Sequence, residues 1–155
     1  MHVKCNTMKS YLPVFACLVL VSCSEEYLLE RKEDKLIGVW EFECVYYRPD
    51  NALFRDNVSS EFEHDIIEFL GDYTAYYDDY SLGVVFPGDW IIRTDYDYAI
   101  DGGGGTEFFV DAMFYGMFQD EDFGLFGSID RLNNRTMRLE GRDRRGTYTY
   151  HLVRR

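Results

Sequence analysis

Few side chains in this chain have the type and spacing that chemistry needs, and the histidines and cysteines come first. His64 and His151 lie far apart, with no metal-ligating partner at helical or hairpin spacing, so no metal site is expected. A Cys44–His64 dyad on adjoining strands would need an exposed thiol in a positive neighbourhood. Cys44 instead shares its alternation phase with Trp40 and Phe42, which predicts a buried, inert thiol. Glu41 with Glu43, and Asp95 with Asp97, are paired carboxylates of the kind glycoside hydrolysis uses. Each pair falls on the wet phase of its strand and reads as solvated surface. Asp95-Tyr96-Asp97 with Asp101 lacks the spacing of an EF-hand. Gly102 to Gly105 have no nearby lysine and sit beside Asp101, a poor phosphate cradle. With no nucleophile elbow, zincin helix or Walker loop either, the expectation is a protein that is not an enzyme and holds no cofactor.

One sulfur does stand in a chemically informative context. Leu12 to Val21 is a run of ten apolar residues, with Lys4 and Lys9 ahead of it and no acid upstream. That is too short for a membrane-spanning helix, which needs ~20 residues, and suits the core of an export signal. Leu20-Val21-Ser22-Cys23 follows. This resembles a bacterial lipoprotein signal, a small-residue cleavage site ending in a cysteine that receives lipid. The resemblance implies residues 1–22 as signal peptide and Cys23 as the lipidated residue, anchored to a membrane without crossing it. Ser24-Glu25-Glu26 is similar to the export signals that send lipoproteins of Bacteroides-type bacteria to the outer face of the outer membrane. Outer-membrane location with surface exposure is therefore expected, with the periplasmic face as the alternative.

From Cys23 onward the chain carries 14 basic and 28 acidic side chains, a net of −14, which argues against binding nucleic acid through a basic surface. The charge is lopsided. Residues 131–155 hold eight arginines against Glu140 and Asp143, so this end is either a basic strand pair beside acidic neighbours or an anion-facing patch. With Cys5 and Cys17 removed and Cys23 lipidated, Cys44 alone remains and no intrachain disulfide can form. Aromatics are abundant, 13 Tyr and 12 Phe with 2 Trp, and such residues favour strands.

Those strands must position whatever site exists. Residues 23–35 read as an acidic tether, with one helical turn at Tyr27-Leu28-Leu29 closing the end of the domain that spans residues 36–155. Trp40, Phe42, Cys44 and Tyr46 alternate with Glu41 and Glu43, the mark of a strand with one wet face. Residues 48–60 form a polar loop, and a phase break at 65–67 suggests a bulge or corner. Val84-Val85-Phe86 is a short strand ending at Pro87-Gly88, and Trp90 to Tyr98 is another. Phe108 to Phe118 is apolar on both faces, so it must be covered on both, by a bulge, a helix, a partner or a membrane surface. Asn133-Asn134 suits a two-residue hairpin through positive φ angles. Met137, Leu139, Tyr148, Tyr150 and Leu152 point inward. Eight or nine strands joined by tight turns close most readily as an all-β, up-and-down antiparallel barrel of about eight strands.

Gly38-Val39-Trp40 on the first strand of such a meander resembles the lipocalin superfamily, and the layout is similar to small lipocalin-like lipoproteins. The likeness covers roughly Leu36 to Arg154. It implies Gly38 and Trp40 as structural residues, with Arg154 laid over the indole. Barrels of this size either fill themselves or hold one small ligand. Tyr46, Tyr76, Trp90, Tyr96, Tyr98, Tyr148 and Tyr150 are expected to line the interior. So many tyrosines suggest an apolar or amphipathic ligand, because each buried hydroxyl needs a partner. A filled core with the Phe108–Phe118 segment as a protein-docking surface is the alternative.

Overall fold

Half-wet alternation along the chain becomes one antiparallel sheet. Its strands are β1 (Gly38–Pro49), β2 (Asp56–Asn57), β3 (Ile66–Phe69), β4 (Thr74–Asp79), β5 (Val84–Tyr96), β6 (Thr106–Phe114), β7 (Phe123–Leu132), β8 (Thr136–Arg142) and β9 (Gly146–Arg154). The structure, a computed structural model, describes residues 25–96, 106–116 and 122–155. Each strand pairs with its successor, except that β1 pairs with β3 and carries the two-residue β2 outside it. β1 also pairs with β9 from Trp40↔Arg154 to Pro49↔Gly146, which closes an eight-stranded, up-and-down barrel as the alternation predicts. Closure leaves the eight strands no long free edge.

The inner faces interdigitate into one core. Trp40, Val45, Ile67, Phe69, Val110, Phe114, Leu139 and Leu152 are all at most 1% exposed. Most of the barrel is thus filled by its own side chains. The lower end, where β1 begins and β9 finishes, is covered by a helix, α1, over residues 25–36. The expected tether with one helical turn is therefore three helical turns. Leu29 and Leu36, seven residues apart on one helical face, pack against the core. Tyr27 and Leu28 face solvent. Glu25 and Glu26 in the first turn and Lys35 in the last complement the helix dipole.

Three further expectations change. β1 pairs Phe42 with Leu152 and Cys44 with His151, so one extra residue, Glu43, bulges between them. The bulge inverts the strand's phase. Val45 follows Trp40 and Phe42 inward, while Cys44 and Tyr46 turn to the outer wall. Cys44 is accordingly half-buried beside His151 rather than sealed in the core. Second, β5 does not stop at Pro87-Gly88 but runs straight through. Proline lacks a donor, yet its carbonyl accepts the Tyr115 N–H at 2.8 Å, so pairing continues past it. Third, the segment expected to be covered on both faces is covered on one. Val110, Ala112 and Phe114 enter the core, whereas Met113 and Tyr115, the latter just past β6, lie exposed outside.

Candidate functional site

The two ends of the barrel differ in how their polar groups are matched. At the lower end the last carbonyls of α1 have no helical donors of their own. Trp40 Nε1 donates to Leu36 O at 2.7 Å, and Arg154 donates through Nη1 to Ile37 O at 2.8 Å and through Nη2 to Lys35 O. The same guanidinium lies 4.6 Å over the Trp40 ring. Gly38 has φ +135°, and a Cβ there would overlap that guanidinium, so the glycine of the Gly38-Val39-Trp40 triplet is required twice over. This end is a clamp.

The upper end is ringed by aromatic side chains. Tyr47 lies tilted against Tyr148 at 4.5 Å, Tyr148 stacks on Tyr150 at 5.6 Å, and Tyr150 meets Phe42 and Phe62 at 6.0 Å. Across the lumen Tyr77 contacts Phe42, Phe114 and Phe123, and Phe86 packs edge-on against Phe123 at 5.2 Å. One polar anchor stands among them. Asp65, 2% exposed at the start of β3, accepts the Tyr77 hydroxyl and the Tyr80 N–H. Burial first, and then that hydrogen bond to a carboxylate, push the Tyr77 phenol far above its ordinary range. Burial does the same to Tyr150. Both remain neutral donors at any physiological pH.

Between the β4–β5 hairpin and the end of β6 this ring opens into a cleft of about 870 Å³. Tyr77, Phe86, Pro87 and Phe123 form its floor, and Leu82 and Val84, 65% and 41% exposed, form its lip. Asp79 is the acidic side chain on its wall. Such a surface can bury an apolar body and hydrogen-bond a polar tip at the rim. Among the described residues no group of three or more His, Cys, Asp or Glu is placed to hold a metal ion.

The residues expected to line the interior scatter. Tyr148 and Tyr150 stand in the upper ring. Trp90 is core near the lower end, its indole N–H on Leu70 O at 3.0 Å and its ring against Phe69 and Tyr73. Tyr46 is on the outer wall because of the bulge, and Tyr76, 40% exposed, lies outside because Ala75 and Tyr77 take the inner phase of β4. Tyr96 pairs through its backbone with Thr106 at the lower end, and its side chain, like Tyr98, lies outside the described residues. So do Cys23, the four glycines, and Met117 and Phe118. The cleft residues Tyr77, Phe86 and Phe123 were missed. Their signal was present in the alternation of Ala75 with Tyr77 and of Phe123 with Leu125, small or apolar residues two apart. No protein-family model, curated protein or solved structure matches the chain.

Proposed function

We propose that this chain is a lipid-anchored, non-enzymatic lipocalin-like protein that binds a small apolar or amphipathic molecule in the upper cleft. One observation carries the reading. The barrel is packed and clamped at one end, while at the other an aromatic surface of ligand size stays open instead of closing over itself. Anchoring rests on the Leu20-to-Cys23 signature, with the domain held at the outer membrane, on the cell surface or on its periplasmic face.

Two experiments test this. Nile red, a neutral probe, should bind the full chain saturably, and Phe86→Glu should abolish binding while the melting temperature stays close to the parent's. Equal binding by that variant, together with empty preparations in native mass spectrometry, would sink the ligand reading. Cys23→Ser should move the protein from the membrane fraction to the soluble one; an unchanged distribution removes the anchor.

A second reading, a protein-interaction module with a filled core, draws on the outer wall of β5, β6 and β7. There Phe109 stacks on Phe126 at 5.7 Å beside exposed Ile91 and Met113. It predicts a concentration-dependent assembly lost in Phe126→Asp. Phe114, fully buried, cannot serve that test because its replacement breaks the core.

A further inference from the structure

Four strands round the barrel from β5, the outer wall carries a second feature of a different chemical kind. Thr147 and Thr149, outward residues of β9, floor a hollow of about 140 Å³. Its walls are Tyr46 and Arg48 of β1, Arg55 just ahead of β2, and Arg138 and Glu140 of β8. Register places Thr149 between Tyr46 and Glu140, and Thr147 beside Arg48. Three guanidiniums from three separate stretches of chain thus converge on two hydroxyls.

Within the chain this convergence is poorly compensated. Among the described residues Arg48 and Arg55 make no ion pair, and Arg138 gives one nitrogen to Asp130 at 3.2 Å. Glu140 is the carboxylate on the wall itself. Like charges gathered without counter-charge repel one another, and an anion placed among them relieves that. Arg55 is also held in place, 4.0 Å over the Tyr46 ring. His151, the next outward residue on β9, reports the local potential. Burial lowers its imidazole below the ordinary range, Arg138, Arg55 and Arg131 lower it further, and Glu43 opposes them. All this stands in a chain whose overall charge is −12.

We propose that this hollow binds a tetrahedral oxyanion of the phosphate or sulfate class, free or as the head of a monoester. Arg48, Arg55 and Arg138 supply the charge and Thr147 and Thr149 the neutral donors. Geometry favours this over a carboxylate, which is planar and satisfied by one bidentate arginine, whereas donors from three directions suit an ion with oxygens on several sides. Size favours a small group: the hollow, about 140 Å³, is a fraction of the upper cleft of about 870 Å³. Two sources offer that chemistry, a soluble ion or ester and a lipid headgroup. The second is real because Leu53 and Phe54, directly ahead of Arg55, are 93% and 83% exposed and give the hollow an apolar neighbour.

The full chain should be titrated calorimetrically with inorganic phosphate and with sulfate against a chloride background. It should also be sedimented with phosphatidylcholine vesicles, with and without phosphatidic acid. Saturable binding of either ion supports the site with a soluble source. Capture by the phosphatidic acid vesicles alone supports it with a headgroup source. In either case Arg55→Gln should weaken binding about tenfold, and Arg55→Gln with Arg48→Gln about a hundredfold, at roughly one charged hydrogen bond per guanidinium. Arg93→Gln, on β5 away from the hollow and paired with Asp111 of the neighbouring β6 at 2.9 Å, should bind as the parent does. Absence of binding in every arm overturns the proposal, and so does binding that the double variant leaves unchanged while circular dichroism shows it folded.

Discussion

At the lower end of the barrel the Trp40 indole and the Arg154 guanidinium reach carbonyls at the close of α1. At the upper end the hydroxyls of Tyr148 and Tyr150 have no hydrogen-bond partner among the described residues, and elsewhere on the same ring Tyr77, Phe86 and Phe123 border a cleft. Both ends are aromatic, yet at the lower one the indole and both terminal guanidinium nitrogens of Arg154 are paired with carbonyls, Arg154 Nε alone lacking a partner, while at the upper one two tyrosine hydroxyls are unpaired among the described residues. That pairing makes the lower end costly to disturb, because each removed group orphans a buried partner. The upper end can lose a group more cheaply, which leaves it free to exchange solvent for a ligand.

Substitutions and a pH series test this pattern of pairing, beginning with the largest effect. Trp40→Ala should cost about 3–5 kcal/mol, the range for truncating a buried large aromatic, and show as a collapse of the denaturant midpoint. Arg154→Ala should cost about 2–4 kcal/mol by removing charged hydrogen bonds and the contact over the indole. Arg154→Lys should recover only part of that, because one ammonium cannot fork to two carbonyls while lying flat on a ring. If Arg154→Ala melts with the parent, the clamp is not what holds this end.

The same small change made at two tyrosines sharpens the contrast. Tyr77→Phe should cost about 1–3 kcal/mol, since Asp65 is left buried with only the Tyr80 N–H. Tyr150→Phe should stay within about 0.5 kcal/mol, there being no bond to lose. Equal losses in thermal unfolding would erase the distinction between anchored and open hydroxyls. The smallest effect belongs to pH. His151 has a folded value below its unfolded 6.5, so between the two the unfolded chain takes up a proton that the folded chain resists. Stability contributed there is complete above 6.5 and declines as pH falls through that window. Comparing melting temperatures from about pH 7.5 to about pH 5.5 should show a slope that His151→Gln reduces.

Much of the barrel was legible because period-two alternation is a local signal. Met137 and Leu139 of β8, or Trp90 and Ile92 of β5, declare their face in five residues. The bulge at Glu43 was not, because an inserted residue leaves each half of β1 correctly alternating and only their sum wrong. That single residue displaced Cys44 and Tyr46 from the inner face. Asn133 gives a milder case. The turn was expected to use positive φ angles, but the asparagine instead accepts the Arg135 and Thr136 N–H groups on its side-chain oxygen. As for the cleft, the seven expected lining positions rest on strand phase and residue type. Type does not say which tyrosines the barrel's stagger gathers at one end, and the hollow on the outer wall depends on Arg48, Arg55 and Arg138, far apart in sequence.

The fastening of α1 by Arg154 has a mechanical consequence. α1 begins at residue 25 and covers the end of the barrel at which β1 begins and β9 finishes. A pull applied at that end meets the Arg154 side chain before it reaches the first strand. Because β1 and β9 run antiparallel, a pull separating their neighbouring ends would open the nine paired positions one after another from Trp40↔Arg154. The guanidinium on the α1 carbonyls therefore guards the position at which the barrel would begin to open.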